Sequence, residues 1–297
     1  MDTCSLEGAI SGLIESYSEF NSQSVDELEE EPSPLEFMRY VALNRPFVVR
    51  GGCSHWLATK RWSAGYLEDR MSSARINVAI TPHGNADAIV TGSSGIEYFV
   101  KPLEVQEPFS TFLKDIRQQE NTCGDSGLVK YAQTRESQQC KENDNLRGEY
   151  FLLSGDVERD IAWARIALEK EPDAVNLWIG NSKSVTALHK DNYENIYCQI
   201  IGSKYFTLLS PLEVACVGER NFRSATYVKD KGGKGLRIEE DEGGQEIPFP
   251  TWDPDRPEIR PTKFSPLGKP LRVKLNAGDM LYLPALWWEL YWMNPRG

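Results

Sequence analysis

His189 and Asp191 stand two residues apart at the end of the apolar, β-prone run Val185-Thr186-Ala187-Leu188. In an extended strand, residues i and i+2 project to the same side. The imidazole and the carboxylate can therefore converge on one ion, leaving Lys190 to face the other way. An imidazole and a carboxylate are two parts of the 2-His-1-carboxylate triad that holds non-haem Fe(II) with open positions. A bare His-x-Asp is a common pattern, so its setting has to carry the argument. The chain has 3 histidines, His55, His83 and His189, and none follows Asp191. His83 lies near Asp87 but sits between Pro82 and Gly84, which reads as an exposed loop histidine rather than half of a metal pair.

The elements around this pair are mostly short strands. Leu6, Ile10, Leu13, Ile14 and Tyr17 recur at spacings of three and four, predicting an amphipathic helix over 5–20. Asp26 to Glu31 and then Pro32-Ser33-Pro34 read as a solvated, proline-closed linker, so residues 1–34 form an N-terminal helix and acidic linker. Residues 35–297 read as one further domain. A helix over 35–43 stops at Asn44-Arg45-Pro46, and Phe47-Val48-Val49-Arg50 is a strand. Further helices are expected from Tyr66, over 109–118 and over 156–168, with strands at 76–80 and 128–133. Tyr131 then shares a strand face with Val129 and Gln133.

After the His189 segment, Gly202-Ser203 reads as the tight turn of a hairpin into Tyr205–Leu209. Residues 218–266, rich in glycine, proline and acid, read as a mobile insertion hairpin. Strands at 271–275 and 280–283 join at Asn276-Ala277-Gly278-Asp279. Helices first and then many short strands predict a mainly β, α+β chain: a double-sheet jelly roll of cupin type with a helical N-terminal part.

Composition narrows the class of partner. With 297 residues the chain can bury a full core. A net charge of −11 argues against a general phosphate-backbone binder and suits a basic protein partner. Six cysteines without a Cys-x-x-Cys pair, and no signal peptide, place the chain in the cytosol or nucleus. No apolar run reaches 18 residues, so no membrane span is expected.

Asp173-Ala174-Val175-Asn176-Leu177-Trp178-Ile179-Gly180, the His189 segment, Gly202-Ser203-Lys204-Tyr205-Phe206 and Gly278 to Trp288 together resemble the Jumonji-C (JmjC) oxygenases. The likeness runs from about Pro34 to Trp288 and is greatest to the stand-alone lysyl hydroxylases of the JmjC domain-containing protein 7 subfamily. It implies Fe(II) and 2-oxoglutarate as cofactors, with His189 and Asp191 as metal ligands. It implies Lys204, Tyr131 and Thr186 around the distal carboxylate of 2-oxoglutarate. It also places Asn176, Trp178, Tyr193 and Asn195 near the pocket or substrate. The implied reaction is O2-dependent hydroxylation of a lysyl side chain in a basic protein, such as a translation-associated GTPase, with release of succinate and CO2. Some relatives are described as histone demethylases or histone-tail peptidases.

Two departures set this chain apart. The family has its second metal histidine directly after the Trp-Trp-like pair, where this chain has Glu289. A carboxylate there either completes a His-Asp-Glu set for a hard divalent ion or is only a polar residue of an altered terminus. The family also continues with further strands and dimer-forming helices. Here the chain stops at Gly297, so the resemblance gives no basis for a homodimer. An alternative or mis-assigned last exon explains both departures, and a shortened jelly roll exposes a sheet edge. Three readings follow: an oxygenase, a JmjC-like binding module that has lost catalysis, and a metal-free structural cupin.

Overall fold

The computed structural model describes residues 3–121, 127–133, 144–232 and 235–294. Two facing sheets build a jelly roll. In the first, the strand order is Asp26–Leu28, Phe47–Val49, Met280–Leu283, Asn195–Cys198. In the second it is Leu271–Asn276, Ser203–Leu209, Trp288–Asn294, Val185–Lys190, Asn85–Ala86. Alternation dictates which side chains enter. Leu271, Val273 and Leu275 are buried while Arg272, Lys274 and Asn276 face water. They meet Phe206, Leu208, Leu281, Leu283 and Tyr291 between the sheets. Each fully buried large apolar side chain contributes roughly 1.5–3 kcal/mol relative to exposure.

Helices close the outer faces. Phe37 and Trp163 cover the outer side of the first sheet, against Phe47, Val49, Met280 and Tyr282. The N-terminal helix Thr3–Phe20 sends Ile14 onto the outer side of the second sheet, beside Leu188, Trp252 and Trp288. Among the described residues, no helix is long and apolar enough to cross a membrane.

Four expectations change. The acidic linker contains a strand, Asp26–Leu28, parallel to Phe47–Val49. Arg50 holds it there, donating to both oxygens of Glu27 at 2.9 and 2.7 Å, so acidity marks an ion-paired edge rather than a solvated connector. Gly202-Ser203 is not a hairpin turn. The strands it joins belong to opposite sheets, and the connection crosses the barrel corner. Gly278 donates to the Gln199 carbonyl at 2.8 Å and Gln199 to the Asp279 carbonyl at 2.9 Å, tying the two sheet-to-sheet crossings together.

Residues 218–266 contain the expected hairpin, and it is built into a larger sheet. Arg220–Lys229 pairs with Leu236–Glu240, Glu246–Phe249 and, in parallel, Glu97–Lys101. Buried Tyr98, Val100, Ala225 and Tyr227 anchor that sheet, and Gly232, Gly235, Gly243 and Gly244 lie between its strands. The helix expected over 156–168 is shorter, Ala162–Leu168. Asp156 instead ends a 3-10 turn and accepts bonds from Trp62 (2.9 Å) and Tyr66 (2.8 Å).

The C-terminal residues take a central place. Trp288–Asn294 pairs antiparallel with Ser203–Leu209 on one side and Val185–Lys190 on the other. The end strands are instead Asp26–Leu28 and Asn195–Cys198 in the first sheet and Leu271–Asn276 and Asn85–Ala86 in the second. The loop before the His189 strand is pinned by Gly84, which has φ +75° and accepts a bond from Val185 at 2.9 Å. A Cβ there would collide with the Lys183 carbonyl, so only glycine fits.

Candidate active site

His189 lies near the end of its strand, and the antiparallel register sets Glu289 directly across from it. A register shift between Glu289 and Tyr291 leaves both residues on the barrel side, next to the inner cluster. His189 Nε2 lies 3.6 Å from Glu289 Oε1. One ligand atom each from His189, Asp191 and Glu289 lies within 4.8 Å of the others. Metal–nitrogen and metal–carboxylate bonds are about 2.0–2.2 Å, so the 3.6 Å gap accommodates an ion shared by both groups.

The histidine is oriented for ligation. Its Nδ1 is 2.9 Å from the Ala187 carbonyl. A carbonyl only accepts, so Nδ1 carries the hydrogen and Nε2 presents its lone pair to the carboxylates. Asp191 is exposed at the mouth, and its backbone carbonyl accepts from Leu286 at 2.7 Å. Leu286 has φ +69°, a conformation that costs a non-glycine residue energy, in the turn that leads from Met280–Leu283 into Trp288–Asn294. Glu289 is buried, 4% exposed, and burial pushes its carboxyl above the usual range. His189 and Lys204 pull it down, while Asp191 pushes it up. Two carboxylates and an imidazole facing one another fit a divalent cation, which would relieve the repulsion between the acids.

Deeper in the barrel lies a second polar group. Lys204 is 0% exposed. Its ammonium donates to Tyr197 Oη at 2.9 Å and sits 3.7 Å from the Tyr291 ring centre, with the Tyr197 and Phe206 rings at 4.5 and 5.7 Å. Among the described residues no carboxylate comes within 4.0 Å of it. Burial lowers its pKa to about 7, with Glu289 opposing the shift. Tyr131 and Thr186 lie on another side of the same Tyr291 ring: the Tyr131 hydroxyl is sealed beside Thr186 and Tyr291 but makes no hydrogen bond of good geometry. A Cβ on Gly180 would press on Met293 (2.5 Å), Ser184 Oγ (2.8 Å) and Tyr131 (2.8 Å), so this wall is built without a side chain.

The remaining candidates lie further out. Trp178 stacks on Tyr197 at 6.2 Å, and Tyr193 is 68% exposed at the mouth. Asn195 opens its strand and is half-buried. Asn176 uses its side-chain oxygen on the Asn145 backbone at 3.2 Å, bracing a loop. His55 pairs with Glu158 at 2.8 Å and His83 is exposed. Sequence reasoning missed Tyr197 and Tyr291, the rings that line the lysine. The signal was two-residue alternation: Tyr291 follows Glu289 by two, and Tyr197 follows Asn195 by two.

Lys204 makes the pocket pH-sensitive. The unfolded chain keeps this lysine protonated up to its ordinary 10.5, whereas the folded site releases the proton near 7. Between about 7 and 10.5 the unfolded state therefore holds more protons, and this group makes stability rise with pH. For a carboxylate received by Lys204, affinity would run the opposite way, because the ammonium must be charged. Carboxylate binding to the metal-free protein should fall as pH rises from 6.5 to 8.5. Isothermal titration checks this, and an affinity flat across that range would contradict it.

A double-sheet barrel with candidate ligands at its mouth and a buried cation behind them is the architecture of a cupin-like protein. The sequence matches the cupin-like domain family over residues 32–289. It is 36% identical over 267 residues to the human "Bifunctional peptidase and (3S)-lysyl hydroxylase JMJD7", spanning 90% of this chain and 79% of that protein. It is 34% identical over 275 residues to the Arabidopsis thaliana "Lysine-specific demethylase JMJ32", spanning 89% and 76%. A Dictyostelium discoideum relative, "JmjC domain-containing protein E", is 32% identical over 276 residues, spanning 88% and 76%. The chain belongs to the JmjC family of cupin-like proteins.

Proposed function

We propose that this chain is a JmjC-type Fe(II)/2-oxoglutarate oxygenase whose site is tuned to weak turnover, acting on a lysyl side chain of a basic protein. The observation that carries the reading is Lys204. A fully buried ammonium with no carboxylate within 4.0 Å among the described residues costs the fold several kcal/mol. The site thus maintains a receptor for an anion that the chain itself does not supply. The buried Tyr131 hydroxyl beside Thr186 and Tyr291 supports the reading, since Tyr291 is also the ring under the Lys204 ammonium.

In this reading His189, Asp191 and Glu289 hold the metal, and Lys204, Tyr131 and Thr186 hold the distal carboxylate of 2-oxoglutarate. Bound Fe(II) supplies the oxidising chemistry, with O2 as oxidant and 2-oxoglutarate as the reducing co-substrate. The protein's part is placement. Ala187 fixes the His189 tautomer, the Leu286 turn fixes Asp191, and the Tyr197, Phe206 and Tyr291 rings keep water from the ammonium. The exposed mouth residues Asp191 and Tyr193 and the net charge of −11 suit a cationic substrate. The human and Arabidopsis relatives are both named for action on lysine. The free thiols of Cys53, Cys198 and Cys216 suit a reducing cytosol or nucleus.

Glu289 favours a second reading. With Asp191 it cancels the charge of a divalent ion, which blunts the ion's Lewis acidity and alters its redox tuning. A binding module that keeps the anion pocket without turnover follows from that. Incubation with Fe(II), 2-oxoglutarate and lysine-containing peptides separates the two. His189-dependent succinate with a 16 Da gain on a peptide is expected of the oxygenase. Co-substrate binding without succinate identifies the module.

A further inference from the structure

We infer that Glu289 couples the metal position to the anion position: its charge opposes a carboxylate at Lys204 until a divalent ion takes it up. The inference rests on the reading of Lys204 as a carboxylate receptor.

The strand geometry places the two groups in one compartment. Glu289, Tyr291 and Met293 alternate on one strand, and their register partners on the neighbouring strand are Leu208, Phe206 and Lys204. Lys204 and Glu289 therefore start from opposite ends of the same stretch, with the Tyr291 ring between them. The Lys204 ammonium lies 3.7 Å from that ring centre. Both side chains are buried, at 0% and 4% exposed, so water screens little between them. They are not ion-paired, since the carboxylate's partner within 4.0 Å is His189. Among the described residues, Glu289 is the charged group that acts on the Lys204 ammonium, and Lys204 acts on Glu289 in return.

Coulomb interactions at low effective dielectric persist beyond contact distance. Without a metal, the Glu289 carboxylate partly satisfies Lys204 and repels an incoming carboxylate. An ion held by His189, Asp191 and Glu289 absorbs that charge and leaves Lys204 to the co-substrate. A neutral histidine at position 289 has no such effect, so the coupling is a property of this chain. By linkage, a carboxylate at Lys204 must tighten metal binding by the same factor.

The test is glutarate binding at pH 6.5, by isothermal titration, to the full chain freed of metal with EDTA. Glutarate carries the carboxylates of 2-oxoglutarate but lacks the oxo group that chelates metal. Glu289→Gln, close in shape and uncharged, is expected to bind it about tenfold more tightly than wild type, within the usual range of such couplings. For wild type, glutarate should raise Mn(II) affinity, read by electron paramagnetic resonance, by a comparable factor. Equal glutarate affinities in metal-free wild type and Glu289→Gln would overturn the coupling while leaving the anion pocket in place. Glutarate binding that Lys204→Ala does not weaken would overturn both.

Discussion

Lys204→Ala is expected to weaken 2-oxoglutarate binding by about 30-fold or more, since truncating one partner of a buried, hydrogen-bonded charge pair costs about 2–5 kcal/mol. The size follows from the surroundings of the ammonium. Tyr197 accepts one hydrogen bond, three aromatic rings exclude water and, among the described residues, no other lysine or arginine is buried beside it. Lys204→Met sharpens the experiment. It keeps the volume but removes an uncompensated buried charge, so the metal-free protein should become more stable even as binding is lost. A lysine serving only the fold would behave in the opposite way. Calorimetric affinity and chemical denaturation of the same two variants decide between these roles. Intact binding, or a less stable Lys204→Met, would remove Lys204 from the site.

Glu289→His is expected to tighten Fe(II) binding by about 10–100-fold and to raise succinate release, because imidazole outperforms carboxylate for late first-row ions. The gain should shrink for Mn(II), which tolerates oxygen ligands, and grow for Zn(II). Register makes the exchange possible, since residue 289 lies directly across from His189 in a strand hydrogen-bonded on both sides. Competition against a calibrated chelator dye gives the affinities. Unchanged Fe(II) affinity would mean that residue 289 does not reach the ion.

Much of this site was legible in the sequence, and for physical reasons. Strand periodicity put His189 and Asp191 on one side, and alternating Leu271, Val273 and Leu275 marked a half-buried strand. The family resemblance pointed to Lys204, Tyr131 and Thr186, and the fold sets all three around Tyr291. What stayed hidden depends on pairing between distant segments. Gly202-Ser203 has the composition of a tight turn, and only the partners of its flanking strands reveal a crossing between sheets. The run Asp26-Glu27-Leu28 is acidic enough to read as a linker until Arg50 is seen to hold it. Residues 218–266 carry the glycines of a loop, and the packing of Ala225 and Tyr227 against Tyr98 and Val100 decides for the strand. Glu289 was visible as a departure at the terminus. Its place in the centre of a sheet was not, because that requires knowing which two strands it separates.

The central claim is that His189, Asp191 and Glu289 hold one divalent ion, and its most direct test is Mn(II) titration of the purified chain followed by electron paramagnetic resonance. Wild type is expected to bind one Mn(II) per chain, weakly. His189→Ala and Asp191→Ala should lose that binding, and Glu289→Ala should weaken it further than wild type. Mn(II) binding that survives His189→Ala unchanged, or that never occurs in wild type, would contradict the metal centre.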